Sequence, residues 1–297
     1  MTPAKTPPAE AACRLLGLDS TGMRLLHLRA NAVFHLPGPN AVLRLRHAPG
    51  NTTVTARLHI AITVTRWLAQ QGFPTITPLE VDQPVSIDGW LATAWHYVTQ
   101  PTQAAPTPED LGAIMRDLHR MPRPPVPLAP VHPLGSLQAD LLSLDPSCSP
   151  VDPEQRTWLL NRCALIEGAL PPLIIGLDHG LLHGDLHTGN LFGSPGRWQL
   201  GDWDSISYGP YLQDAIPTLI GHHRFGRPRH RWHRFCRTYG LDPDIESTPA
   251  ARLLLAAREL RSLAAYIRAA DHPAIRAELH RRLHSLIDNE PHIWKPI

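Results

Sequence analysis

Three oxygen-bearing side chains recur at short intervals in LLHGDLHTGNLFGSPGRWQLGDWDS, residues 181–205: Asp185, Asn190 five residues on, and Asp202 twelve residues further. Phosphoryl transfer asks few things of a protein. It needs a carboxylate that orients an attacking hydroxyl and accepts its proton, oxygen ligands for Mg²⁺, and positive charge on the phosphates. Mg²⁺ takes hard oxygen donors and keeps several waters. An Asn amide oxygen and an Asp carboxylate, brought together by a hairpin, suit that demand. The hairpin is legible as Leu191-Phe192, a turn over Gly193–Gly196, and Trp198-Gln199-Leu200.

The same residues admit other readings. His183, Asp185 and His187 alternate, so on a strand they would share a face, as metal ligands do. A metallohydrolase using them with Asp202 and Asp204 is therefore an alternative. Asn190 and the lack of further clustered His ligands weigh against it. His183 also reads as a structural residue bonding loop backbone. Asp204 is either a second metal ligand or a brace for its loop.

The elements that must position these residues fall in two groups. Residues 11–18 read as a short helix. Strand-like runs follow at 25–29, 32–36 and 41–47, with Gly38 and Asn40 as turn chemistry between the last two. Residues 53–71 carry a helical pattern with Leu58, Ile62, Thr65 and Leu68 on one face, closed by Gly72. Two more strands, 84–88 and 91–98, join at Asp88-Gly89. Composition then shifts through TQPTQAAPTPED, a linker ending in the helix start Thr107-Pro108-Glu109-Asp110. That helix runs to about Met121, and a Pro-rich loop covers 122–136. Beyond it the chain is helical at about 155–170, 212–221, 228–239, 249–270 and 273–289. Strands first and helices second is an α+β arrangement with two lobes. An N-terminal antiparallel sheet lobe covers 1–98, with 1–10 a flexible lead-in. A larger, mainly helical lobe covers 99–297.

The spacing Asp185, Asn190, Asp202 matches a kinase catalytic loop followed by D-F-G, with Trp203 in place of Phe. The variant HGDxHxxN resembles the aminoglycoside phosphotransferase family, small-molecule kinases of the protein-kinase-like fold. SYGPYLQD (207–214), LRANAVFHLPGPNAVLRL (28–45) and DLGAIMRDLHRMP (110–122) extend the resemblance over most of the chain. It implies a bilobal kinase-like fold and transfer of the γ-phosphate of ATP or GTP to a hydroxyl. It makes Asp185 the catalytic base and Asn190 and Asp202 the Mg²⁺ ligands. His187 takes the place of a phosphate-contacting Lys. Arg29, Ala30 and Asn31 form a loop over the phosphates, and backbone groups of His96, Tyr97 and Val98 receive the base. Asp214, opening a helix, braces the catalytic loop.

Two features depart from that family. The only lysines are Lys5 and Lys295, so Arg44 stands where the phosphate-binding Lys belongs. Arg is always charged and grips phosphate bidentately. The helical Glu that pairs with that Lys is also missing, because no acid occurs between Asp19 and Glu80. Arg44 is therefore expected to find no carboxylate in its own lobe and to have the nucleotide phosphates as its principal counter-charge. The same gap motivates a second function, a nucleotide-binding pseudokinase serving as an interaction module.

Composition narrows the rest. The chain has 297 residues, 43% apolar, and a net charge of +2, which gives no overall nucleic-acid footprint. Its apolar runs fall short of a membrane span, and the N-terminus lacks a signal-peptide layout. Four scattered cysteines, each read as a small buried apolar residue, fit a reducing cytoplasm. The run 222–234 is basic with aromatics and reads as a solvated helix face or a pocket wall. Arg258, Glu259 and Arg261 share a helix, either as an internal ion pair or facing substrate. Residues 205–297 hold thirteen Arg and one Lys against nine acids. A neutral or weakly charged hydroxylated acceptor (an antibiotic, sugar or nucleoside) fits that surplus better than a polycation.

Overall fold

The computed structural model describes residues 6–28, 31–100 and 104–295. Its strands are β1 (Arg24–Leu28), β2 (Ala32–Leu36), β3 (Ala41–His47), β4 (Val85–Ile87), β5 (Trp90–His96), β6 (His179–Leu182), β7 (Leu191–Ser194), β8 (Arg197–Leu200) and β9 (Ser207–Pro210). Its helices are α1 (Ala9–Leu16), α2 (Thr52–Gln70), α3 (Pro108–His119), α4 (Gly135–Ser143), α5 (Pro153–Ile174), α6 (Leu212–Arg224), α7 (Arg229–Tyr239), α8 (Pro249–Arg268) and α9 (Pro273–Ile287). The fold is mixed α+β and divides into two compact units. One comprises 1–106, 121–128 and 189–206; the other comprises 107–120, 129–188 and 207–297.

The first unit is built on an antiparallel sheet of order β1-β2-β3-β5-β4. In β3 the residues alternate: Ala41, Leu43 and Leu45 are buried, while Val42, Arg44 and Arg46 lie on the other face. The buried set joins Leu36 and Ala94 and is covered by Cys13 and Leu16 of α1. On the face of Arg44 and Arg46, Leu91 of β5 packs with Val54 and Leu58 of α2. Helix α2 buries Leu58, Ile62, Thr65 and Leu68, the face that the periodicity marks. It ends in a Schellman arrangement: Gly72, at φ +79°, lets Phe73 N–H reach Leu68 C=O at 2.9 Å. The lead-in is shorter than expected, since Ala9 and Glu10 are already helical and Ala9 is buried. An amphipathic turn packed on the sheet outweighs their weak local signal.

The second unit centres on α8. Leu260 and Leu263 of α8 pack with Leu141 of α4, Cys163 and Ile166 of α5, and Leu279 of α9. Helix α3 begins as its residues dictate, with a capping box between Thr107 and Asp110 and Pro108 at N1. Helix α4 was not foreseen. It begins at the end of the stretch read as a Pro-rich loop and has no side-chain cap, so only the burial of Leu137 and Leu141 marks it. Cys148 is exposed, against the expectation that all four cysteines are buried; it lies in the polar turn between α4 and α5. No helix among the described residues is long and apolar enough to cross a membrane.

Candidate active site

Asn190 and Asp202 lie at the open end of the β7–β8 hairpin, within the first unit. Leu191 pairs with Leu200, and just beyond that pair Gly201 N–H donates to Asn190 C=O at 2.9 Å. The two oxygen-bearing residues thus flank one closed ladder rung. The hairpin is anchored from a third segment: Leu200 N–H donates to Pro74 C=O and Ile76 N–H to Leu200 C=O, both at 2.9 Å. Trp203 is 1% exposed, and its indole N–H donates to Thr75 Oγ1 at 2.9 Å. Between these two anchors Asp202 is held at φ +64°, a left-handed conformation that costs a non-glycine residue on the order of 1 kcal/mol. Its side chain is 43% exposed. A half-exposed carboxylate beside an Asn is a donor set that fits Mg²⁺.

Arg44 overturns one expectation. Its Nη2 donates to Asp202 Oδ1 and to Asp204 Oδ2, each at 2.9 Å. The guanidinium is therefore tied to two carboxylates, and the phosphates are not its principal counter-charge. Burial alone would lower the pKa of this group, but Asp204 and Asp202 outweigh that and hold it above its ordinary value. The neighbouring helix α2 carries no acid. The partner comes from a loop about 160 positions away, brought in by the hairpin anchor. Asn31 Nδ2 also donates to Asp204 Oδ2, at 3.3 Å, and Asn31 Oδ1 is buried without a hydrogen bond. Arg29 and Ala30, expected to join Asn31 over the phosphates, lie outside the described residues. His96 N–H donates to Thr77 C=O and Tyr97 N–H to Asn40 C=O, both at 3.0 Å. Those two N–H groups are engaged within the chain. Val98 follows the end of β5.

Asp185 belongs to the second unit, in the loop after β6. Asp214 braces that loop as expected. Fully buried in the first turn of α6, it accepts from His183 N–H at 2.8 Å and Gly184 N–H at 2.7 Å. His119 Nε2 reaches the same carboxylate at 3.3 Å. Gly184 is at φ +81°, which only glycine adopts readily. His183 bonds loop backbone, accepting from Asp185 N–H through Nδ1 at 3.3 Å. Helix α8 settles what the sequence left open about Arg258 and Arg261. Arg258 Nη2 donates to Asp185 Oδ1 at 2.6 Å, and Arg261 Nη1 to Gly184 C=O at 2.9 Å. Glu259 instead pairs with Arg224 at 2.5 Å. Burial alone would raise the pKa of Asp185, but Arg258, His187 and Arg261 outweigh it and hold the group at about 2. His187 Nε2 lies 4.0 Å from Asp185 Oδ2. Burial and the neighbouring Arg258 push Arg261 down to about 10. The i, i+3 spacing of Arg258 and Arg261 was the only sequence signal that both could face one loop.

Among the described residues, no three His, Cys, Asp or Glu side chains are grouped to hold a metal ion. The His183, Asp185, His187 alternation therefore does not build a hydrolase-type centre; these residues form a loop, not a strand.

Comparison with known proteins gives one family and one fold. The model of the phosphotransferase enzyme family (APH) matches residues 24–249. Among solved structures, an amicoumacin kinase, hAmiN, in complex with AMP-PNP, Ca²⁺ and Ami is 18% identical, with a TM-score of 0.70 over 92% of this chain and 90% of that one. A microcompartment-associated aminopropanol kinase is 17% identical, with a TM-score of 0.67 over 95% and 98%. The aminoglycoside phosphotransferase APH(3'')-Id from Streptomyces rimosus is 17% identical, with a TM-score of 0.63 over 86% and 99%. No curated protein sequence matches the chain.

Proposed function

This chain belongs to the phosphotransferase enzyme family and has the protein-kinase-like fold of small-molecule kinases, and from that premise we propose that it is a cytoplasmic, Mg²⁺-dependent O-phosphotransferase acting on a small hydroxylated molecule. The donor is ATP or GTP. The observation that supports the reading is the β7–β8 hairpin, whose backbone closes between Gly201 and Asn190 and so brings the buried Asn190 and the half-exposed Asp202 to the same end of one hairpin.

Asn190 and Asp202 would hold the metal, which when bound draws negative charge from the nucleotide phosphates. Arg44, fixed on the central strand β3, adds a permanent positive charge. Asp185 is kept ionised by Arg258, so it can accept a hydrogen bond from the acceptor hydroxyl and take its proton. Asp214 fixes the backbone of that loop.

The acceptor is not strongly polycationic. Arg258 and Arg261 both face the loop of Asp185, and the one acid beside them on α8, Glu259, is taken by Arg224. A polyamine approaching Asp185 would meet two guanidinium groups. The pseudokinase alternative loses its motive, since Arg44 is held by carboxylates even without the helical Glu.

The test is a screen for phosphate transfer to hydroxylated metabolites and antibiotics, with ATP and GTP as donors and phosphorus NMR as readout. A phosphomonoester product that disappears with Asp185→Asn supports the reading. A product rate unchanged by that substitution overturns it.

A further inference from the structure

The first unit lacks the acidic helix residue that its family resemblance demands, yet Arg44 is held. We propose that Asp204 has taken over that residue's role: it is the positioning residue that anchors Arg44, and it is not a ligand of the metal. This rests on the nucleotide-binding reading above.

Three groups converge on one oxygen of Asp204. Arg44 Nη2 donates to Oδ2 at 2.9 Å, Asn31 Nδ2 donates to it at 3.3 Å, and Arg46 Nη1 lies 4.0 Å away. Oδ2 so engaged has little lone-pair capacity left for a cation, so Asp204 could offer a metal at most its other oxygen, Oδ1. Asp202 differs, because among the described residues its only partner is Arg44, through Oδ1. Its side chain is 43% exposed, against 23% for Asp204. The two carboxylates thus divide the work: Asp202 can exchange its bond to Arg44 for other company, while Asp204 keeps the guanidinium in place.

The backbone supports the division. Arg44 sits on the central strand, in register with Val33 of β2 and Thr93 of β5, so its Cα is fixed and only its side chain needs a tether. Helix α2 offers none. Where it faces this position it presents Leu58, which lines a small cavity together with Arg44, Arg46, Thr93 and Asp204. The family arrangement of a basic strand residue with an acidic helix residue is replaced here by a basic strand residue with an acidic loop residue.

The experiment uses the full chain and two readouts other than turnover. Mn²⁺ affinity is measured by electron paramagnetic resonance in the presence of ATP. Order of the Arg44 guanidinium is followed by its side-chain ¹⁵N resonances. Asp204→Asn should weaken Mn²⁺ binding by no more than about 10–100-fold, as a residue outside the metal's own ligands does, and should free the Arg44 guanidinium to rotate. Asp202→Asn should abolish Mn²⁺ binding to the nucleotide complex and leave Arg44 restrained. Leu58→Glu added to Asp204→Asn should restore the restraint by supplying a carboxylate from α2. If Asp204→Asn abolishes Mn²⁺ binding as Asp202→Asn does, Asp204 is a metal ligand and the proposal is overturned. Free rotation of Arg44 in Asp202→Asn overturns it as well, and that measurement requires no change at position 204. Wild-type protein that binds no ATP at all overturns the phosphotransferase reading instead.

Discussion

Arg258 Nη2 lies 2.6 Å from Asp185 Oδ1, so the residue assigned to proton acceptance is paired with a cation from a helix more than seventy positions away. The pair has a pH consequence. A carboxylate whose folded pKa is depressed stays ionised down to that value and is lost as a base only below it. With Arg258 present, Asp185 is ionised above about pH 2. In Arg258→Met the main depressing charge is gone while burial still raises the pKa. The acid limb of the kcat/KM profile should then move up into the ordinary carboxylate range or beyond it. The pair also contributes stability above the unfolded-state carboxylate pKa, and this is lost as pH falls towards 2. An acid limb that does not move in Arg258→Met shows that the pair does not tune the base.

Removing Asp185 and removing Asp202 should have different signatures. Asp185→Asn deletes the proposed proton acceptor and should lower kcat by about 10²–10⁴-fold with nucleotide affinity largely intact. Asp202→Asn should remove the Mg²⁺ dependence of nucleotide binding. Calorimetric titration with ATP, with and without Mg²⁺, separates the two. Loss of Mg²⁺ dependence in both variants would contradict the division of roles.

Asp214→Ala should destabilise the protein without touching a reacting group. It strips the acceptor from His183 N–H, Gly184 N–H and His119, all inside the second unit. Leaving buried donors unsatisfied costs about 1–3 kcal/mol each, and breaking a buried charged cluster about 3–5 kcal/mol. Urea unfolding should show a fall of about 3 kcal/mol or more. A midpoint within error of wild type would mean that the loop finds other acceptors.

Trp203 directly follows Asp202, and its indole is bonded as well as buried. Trp203→Phe keeps the ring but loses the donor to Thr75 Oγ1, a net loss of about 1 kcal/mol. Trp203→Ala should cost about 3–5 kcal/mol and loosen the hairpin. Thermal melts order the three proteins, and Mg²⁺-dependent nucleotide binding should fail in Trp203→Ala before it fails in Trp203→Phe. Equal melting temperatures for wild type and Trp203→Phe would show that the indole N–H adds nothing.

Much of this was legible in the residues themselves. Strands β2 and β3 fall on the residues expected, because period-two alternation and a Gly/Asn turn are local signals. The same holds for the cap at Thr107 and for the buried face of α2. The spacing of Asp185, Asn190 and Asp202 is a covalent fact, and the hairpin that joins the last two follows from an apolar–turn–apolar pattern. Partnership is a different matter. Nothing along the chain couples Arg44 to Asp204, or Arg258 to Asp185, since charge carries no address in sequence. Those pairs exist because β3 fixes one Cα while the anchored hairpin delivers a carboxylate to it, and because one turn of α8 faces the loop that Asp214 holds. Local chemistry determined which side chains were available; long-range packing decided which of them neutralise one another.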